Sequence, residues 1–169
     1  MLKQEDYQQH ISARFNEELE SLRNHMLEMG GKVERQLSNA LEALLQRDSG
    51  EAELIVSRDS EVNQMEMAID EECATIIARR QPTASDLRLV IAIIKVNTDL
   101  ERIGDEAAKV AKQVVRLSEE GTSPSNFVEI RHIGSRVSAM LREALDALSL
   151  IHISEPTRPA PLSRMPSSA

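Results

Sequence analysis

Apolar residues step by threes and fours through the first part of the chain: Phe15, Leu19, Leu22, Met26, Met29, Val33, Leu37, Leu41 and Leu44. Residues at that spacing share one helical face, so the pattern predicts a single long amphipathic helix. Gly30 and Gly31 fall inside the stripe without shifting its phase. Each glycine costs a helix roughly 1 kcal/mol, so the pair marks a bend or a closely packed neighbour. RDSGE at 47–51 reads as a tight turn. A second stripe, Ile55, Val62, Met65, Ile69, Cys73 and Ile76, predicts helix two, which ends on Arg79-Arg80 and is stopped by Pro82. Thr83 with Asp86 makes an approximate capping box for helix three. The stripe of that third helix is Leu89, Ile93, Val96, Leu100, Ile103, Ala107, Val110 and Val114.

Three long amphipathic helices with short connections predict an all-α, antiparallel three-helix bundle over 10–118, behind a flexible N-terminus at 1–9. A coiled-coil structural protein is the alternative, but the short turns favour folding back. EEGTSPSN at 119–126 is a linker, and Asn126 with Glu129 is placed to cap a fourth helix over 127–148. MGGKVERQLSNALEAL (29–44) laid on IGSRVSAMLREALDAL (133–148) matches Gly30 with Gly134, Leu41 with Leu145 and Leu44 with Leu148, at an offset of 104 residues. Helix four therefore reads as the first helix of a second, incomplete repeat. Its stripe (Ile130, Val137, Leu141, Leu145, Leu148) would either stay exposed or cover the first bundle. The similarity stops after Leu148. Residues 149–169 hold four of the six prolines and resemble translated vector sequence, so they are expected to be a non-native or disordered tail to a truncated chain.

Composition narrows the function classes. Aromatics make up 2% and tryptophan is absent, so the core must be aliphatic. A net charge of −8 argues against a nucleic-acid binder, which needs clustered positive charge. The longest apolar run, LVIAII at 89–94, is far too short to span a bilayer, and a cytoplasmic location is expected. One cysteine, Cys73, excludes an intramolecular disulfide and sits on an apolar stripe, where it reads as core.

The candidate chemistry lies in DLERIGDEA (99–107). Glu101 and Asp105 are one helical turn apart, and like charges at that spacing repel by a few tenths of a kcal/mol. With the stripe centred near Leu100, both fall on the outer flank of helix three, and together they can hold one hard or borderline cation. Two ligands are too few for a tight site. A second E-x-x-x-D, Glu66 with Asp70, and the pair Asp59 and Glu61 read as solvated acidic surface. No G-x-S-x-G, H-E-x-x-H, P-loop or C-x-x-C is present, so nothing points to a catalytic centre. Glu129 and His132 form one E-x-x-H of the kind found in di-iron bundles, but such an enzyme needs two plus two further glutamates.

RRQPTASDLRLV (79–90) followed by LERIGDEA (100–107) resembles the PhoU family of bacterial phosphate-signalling proteins, close to the enterobacterial type. The resemblance extends over 10–148. It implies two three-helix bundles related by an internal repeat, and it maps the family's E(D)-x-x-x-D metal motif onto Glu101 and Asp105, for a divalent or iron-type ion. It also implies a regulator rather than an enzyme. Such a regulator would repress phosphate signalling and uptake by bridging the phosphate ABC transporter and a sensor histidine kinase, as a homodimer when full-length. Arg79, Arg80, Gln81, Asp86 and Arg88 are assigned to the junction of helices two and three, with partner contact as a further role for the arginines.

Overall fold

A computed structural model describes residues 2–82, 84–120 and 128–150, with side chains from residue 13 onward. These form four helices and no strand: α1 (Leu2–Gln46), α2 (Ser49–Arg80), α3 (Ala84–Glu119) and α4 (Val128–Leu150). α1 begins at Leu2, where a flexible segment through residue 9 was expected; LKQEDYQQ holds neither glycine nor proline, so nothing in it interrupts helix propagation. α4 extends two residues past Leu148. Thr83 and Asn126, named as caps, lie outside the described residues, as does the tail from 151 onward.

The first connection is tighter than RDSGE suggests. Arg47 adopts a left-handed backbone (φ 59°), and the Asp48 carboxylate accepts the Glu51 N–H at 3.0 Å. Asp48 is thus the N-cap, and Gly50 and Glu51 already belong to α2. α2 ends on Gln81, also left-handed (φ 49°), whose N–H returns to the Ile77 carbonyl at 3.1 Å.

α1, α2 and α3 pack against one another, burying Leu22, Met26, Met29, Val33 and Leu37 against Ile55, Val62, Ile69, Cys73 and Ile76. α1 and α2 run antiparallel, and four polar pairs set their register: Glu18 with Arg80, His25 with Glu72, Lys32 with Glu61 and Asn39 with Glu51. The α1 members recur every seventh residue, so they form one row beside the core.

The buried row of α3 differs from the expected stripe. It comprises Val90, Ile93, Asn97, Leu100, Gly104, Ala107, Ala108, Ala111 and Val114, while Leu89, Val96, Ile103 and Val110 are half-buried at its edge. α3 lies against both α1 and α2, and its small residues let the backbones approach. Counting large apolar residues alone misplaces the centre by about one position.

α4 packs on α1 alone among the described helices. Its Leu145 covers Gly30, and its Gly134 is covered by Leu41, whose methyl carbons would lie 2.8 and 2.9 Å from an added Cβ. Arg142 donates to Glu34 at 2.7 Å. Leu141 is buried, whereas Ile133 and Met140 remain 64% and 68% exposed.

Candidate acidic site on the α2–α3 seam

Asn97, Glu101 and Asp105 follow one another at four-residue intervals, so α3 presents them as one row. Asn97 is fully buried, while Glu101 and Asp105 are half-buried. The outer flank expected for the pair is in the structure a half-buried seam beside α2, because the core of α3 is rotated toward them. The Glu101 carboxyl is pushed above the usual glutamate range. Burial is the largest cause, followed by the charges of Asp105, Glu66 and Asp59, with Arg102 acting in the opposite direction.

The fold thus brings Asp59 and Glu66 of α2 within electrostatic reach of Glu101. Read along the sequence, both looked like solvated charge. Their antiparallel placement opposite α3 is a tertiary fact with no mark in the spacing of α2 itself.

Two amides tie the helices together here. Asn97 Nδ2 donates to the Glu66 carbonyl at 3.0 Å and to Asp70 Oδ1 at 2.9 Å. Asn97 Oδ1 is buried and has no donor, an arrangement that costs about 1–3 kcal/mol. Gln36 Nε2, reaching over from α1, donates to Asp59 Oδ1 at 3.3 Å and to the Gly104 carbonyl at 3.4 Å. A Cβ at Gly104 would sit 3.3 Å from Val62 and 3.6 Å from Gln36 Oε1. The glycine between the two carboxylates is therefore where α2 and Gln36 close on α3.

The Glu101 and Asp105 carboxylates offer oxygen donors, which suit a hard cation. The number of ligands is small. Among the described residues, no three Asp, Glu, His or Cys side chains converge closely enough to hold a metal ion by themselves. An ion held by Glu101 and Asp105 alone would complete its shell with water or with another chain.

The junction residues stand apart from this row. Arg80 forms a two-pronged contact with Glu18, 2.8 Å from Nε and 2.5 Å from Nη2. Arg88 Nε donates to the Ala84 carbonyl of its own turn at 3.4 Å. Gln81 caps α2, Arg79 lies in the last turn of α2, and Asp86 lies in the first turn of α3, where a carboxylate meets the positive end of the helix. Glu129 and His132 are exposed on α4. No described helix is long and apolar enough to cross a membrane.

Residues 26–114 match the PhoU domain model. The phosphate-specific transport system accessory protein PhoU homolog of Pseudomonas aeruginosa is 55% identical over 149 residues, which are 88% of this chain and 62% of that protein. Phosphate-specific transport system accessory protein PhoU of Escherichia coli is 46% identical over the same length, covering 88% and 61%. Of these two, the chain is nearer the Pseudomonas protein, which corrects the enterobacterial likeness. Among solved structures, PhoU from Pseudomonas aeruginosa superposes with a TM-score of 0.77 at 58% identity, over 80% of this chain and 65% of that one. The phosphate transport system regulatory protein PhoU from Streptococcus pneumoniae superposes at 0.74 and 38% identity, over 80% and 63%. The chain spans about three fifths of the length of the curated relatives it matches.

Proposed function

The chain belongs to the PhoU domain family, and on that premise we propose that it is a non-enzymatic negative regulator of phosphate signalling and uptake. It acts in the cytoplasm through protein contact, as a homodimer that bridges a phosphate ABC transporter and a sensor histidine kinase. The observation that carries this reading is 55% identity over 88% of the chain to a protein named as an accessory of the phosphate-specific transport system. In architecture, α1–α3 form the first three-helix repeat and α4 opens a second. The offset of 104 residues and the reciprocal seating of Leu145 on Gly30 and Leu41 on Gly134 support that assignment.

The acidic seam takes a divalent or iron-type cation, with Glu101 and Asp105 as primary ligands and Glu66 and Asp59 beside them. Support comes from the raised Glu101 carboxyl and the oxygen-only donor set. A bound ion supplies positive charge that relieves the repulsion among these carboxylates.

The test is complementation. In a bacterial strain lacking its own relative, the chain should lower expression of a phosphate-starvation reporter in phosphate-rich medium, and it should co-purify with the transporter ATPase or the kinase. A folded, expressed chain that leaves the reporter fully induced and retains neither protein would overturn the regulatory reading.

A further inference from the structure

We propose that α4 pairs with α4 of a second copy of this chain, antiparallel and centred on Met140, through a face that no described helix covers. The proposal rests on the homodimer reading given above and names the surface that makes the dimer. Ile133, Val137, Met140, Ala144 and Ala147 step by threes and fours, so they share one face of α4. All five are exposed, Val137 at 43%. Among the described helices α4 touches α1 alone, and it does so through its adjoining face, with Gly134 and Leu145. At the 104-residue offset, Ile133 falls on Met29, Val137 on Val33, Ala144 on Ala40 and Ala147 on Ala43. All four of those α1 residues are fully buried in the core of the bundle. α4 therefore shows to water the positions that its α1 counterpart uses as core, and an apolar helix face of this extent is an association surface.

The pattern along the face selects a second copy as its occupant. About a two-fold axis at Met140, Ile133 of each helix meets Ala147 of the other, and Val137 meets Ala144. Large residues then face small ones throughout, so the two helices can close. The two Met140 side chains meet at the axis, where unbranched thioethers adapt to each other. Charge agrees with the same register. Glu129, Arg136 and Glu143 recur every seventh residue along the edge of the face away from α1. Neither Arg136 nor Glu143 forms an ion pair among the described residues. In an antiparallel pair that edge lies against the same edge of the partner, which sets Arg136 of each copy opposite Glu143 of the other. A parallel pair would set it against the edge that holds Gly134 and Leu141, and its charges would go unmatched.

The test is analytical ultracentrifugation of the full chain, with circular dichroism in parallel. Wild type is expected to sediment as a dimer. Met140→Lys sets two ammonium groups together at the axis and should sediment as a monomer of unchanged helicity, since position 140 is 68% exposed in the single chain. Arg136→Glu and Glu143→Arg should each raise the dissociation constant by about tenfold or more, and the double variant should restore it. A monomeric wild type overturns this inference and the homodimer reading together, and leaves the face to a different chain. A wild-type dimer that survives in Met140→Lys overturns this inference alone. A monomeric Met140→Lys whose charge variants all pair like wild type overturns the antiparallel register. If Met140→Lys loses helicity, the charge variants decide: rescue in the double variant supports the pairing, and its absence overturns it.

Discussion

Leu145 of α4 packs directly over Gly30 of α1, in the space a Cβ would need. Leu41 and Gly134 repeat the contact in reverse, so the two antiparallel helices exchange equivalent knobs and sockets at the same 104-residue offset. This relation explains why a helix of 45 residues tolerates Gly30 in its middle. The propensity cost of about 1 kcal/mol is offset by seating a leucine against bare backbone.

The first prediction follows from that socket. Gly30→Leu should push α4 off α1 while the α1–α2–α3 core, which does not involve Leu145 at Gly30, stays folded. Hydrogen exchange should show amides of α4 losing protection by about tenfold or more, with α2 and α3 unchanged. Uniform loss across all four helices would show that the core depends on the socket.

The helices were legible in the sequence because their apolar stripes are long and keep phase, and of the two readings of the glycine pair, a bend or a close neighbour, Gly30 meets the second while Gly31 faces only Arg35 of its own helix. The acidic site was legible only in part. Glu101 and Asp105 could be found from their spacing, but their half-buried setting could not. It depends on Asn97 and Gly104 occupying core positions, and a periodicity built on large apolar residues passes over both. Asp59 and Glu66, expected as solvated charge, are half-buried and act on Glu101 for a different reason. Their significance comes from α3 folding back beside α2, and nothing local to α2 records that.

The Glu18–Arg80 contact predicts a pH-dependent stability. The Arg80 hydrogen bond, the largest cause, holds Glu18 below the usual glutamate range, with Arg14 and Arg79 adding to it and burial opposing. A carboxyl lowered in the folded state stabilises above its unfolded pKa and loses that contribution as pH falls through its folded value. Glu18→Gln should therefore lower the urea midpoint at pH 7 and match wild type once the pH is below the native Glu18 value. A deficit that persists unchanged in acid would assign the effect to packing instead.

Cys73 is fully buried, and burial pushes its thiol up to about 11, with Asp70 and Glu72 adding to the rise. The thiolate is the reactive species, so at pH 8 the native protein should react with an aromatic disulfide reagent only through opening of the fold. Labelling should be slow in buffer and complete within the dead time in denaturing urea. Cys73→Ser should cost about 1–3 kcal/mol by placing an unpartnered hydroxyl in the core, while Cys73→Ala should cost less than the serine. Fast labelling of the native state would contradict the buried placement.

Glu101 yields the opposite pH dependence. Its carboxyl is raised in the folded state, by burial first and by Asp105, Glu66 and Asp59 after it. Over the interval between the unfolded and folded pKa values the native state binds more protons than the unfolded chain, so this group makes stability fall as pH rises through it. Above that interval the ionised Glu101 is opposed by its neighbours and destabilises the fold. Glu101→Gln, measured with chelator present, should therefore unfold at higher urea than wild type at pH 7. The gain should shrink as pH falls through the raised value and vanish in the ordinary glutamate range. Added Mn²⁺ should narrow the difference at pH 7 by stabilising wild type alone, because the cation supplies the charge that the substitution removes. If Glu101→Gln is less stable than wild type at pH 7 in chelator, the carboxylate is compensated within the fold, and the seam has no unmet charge for a cation to satisfy.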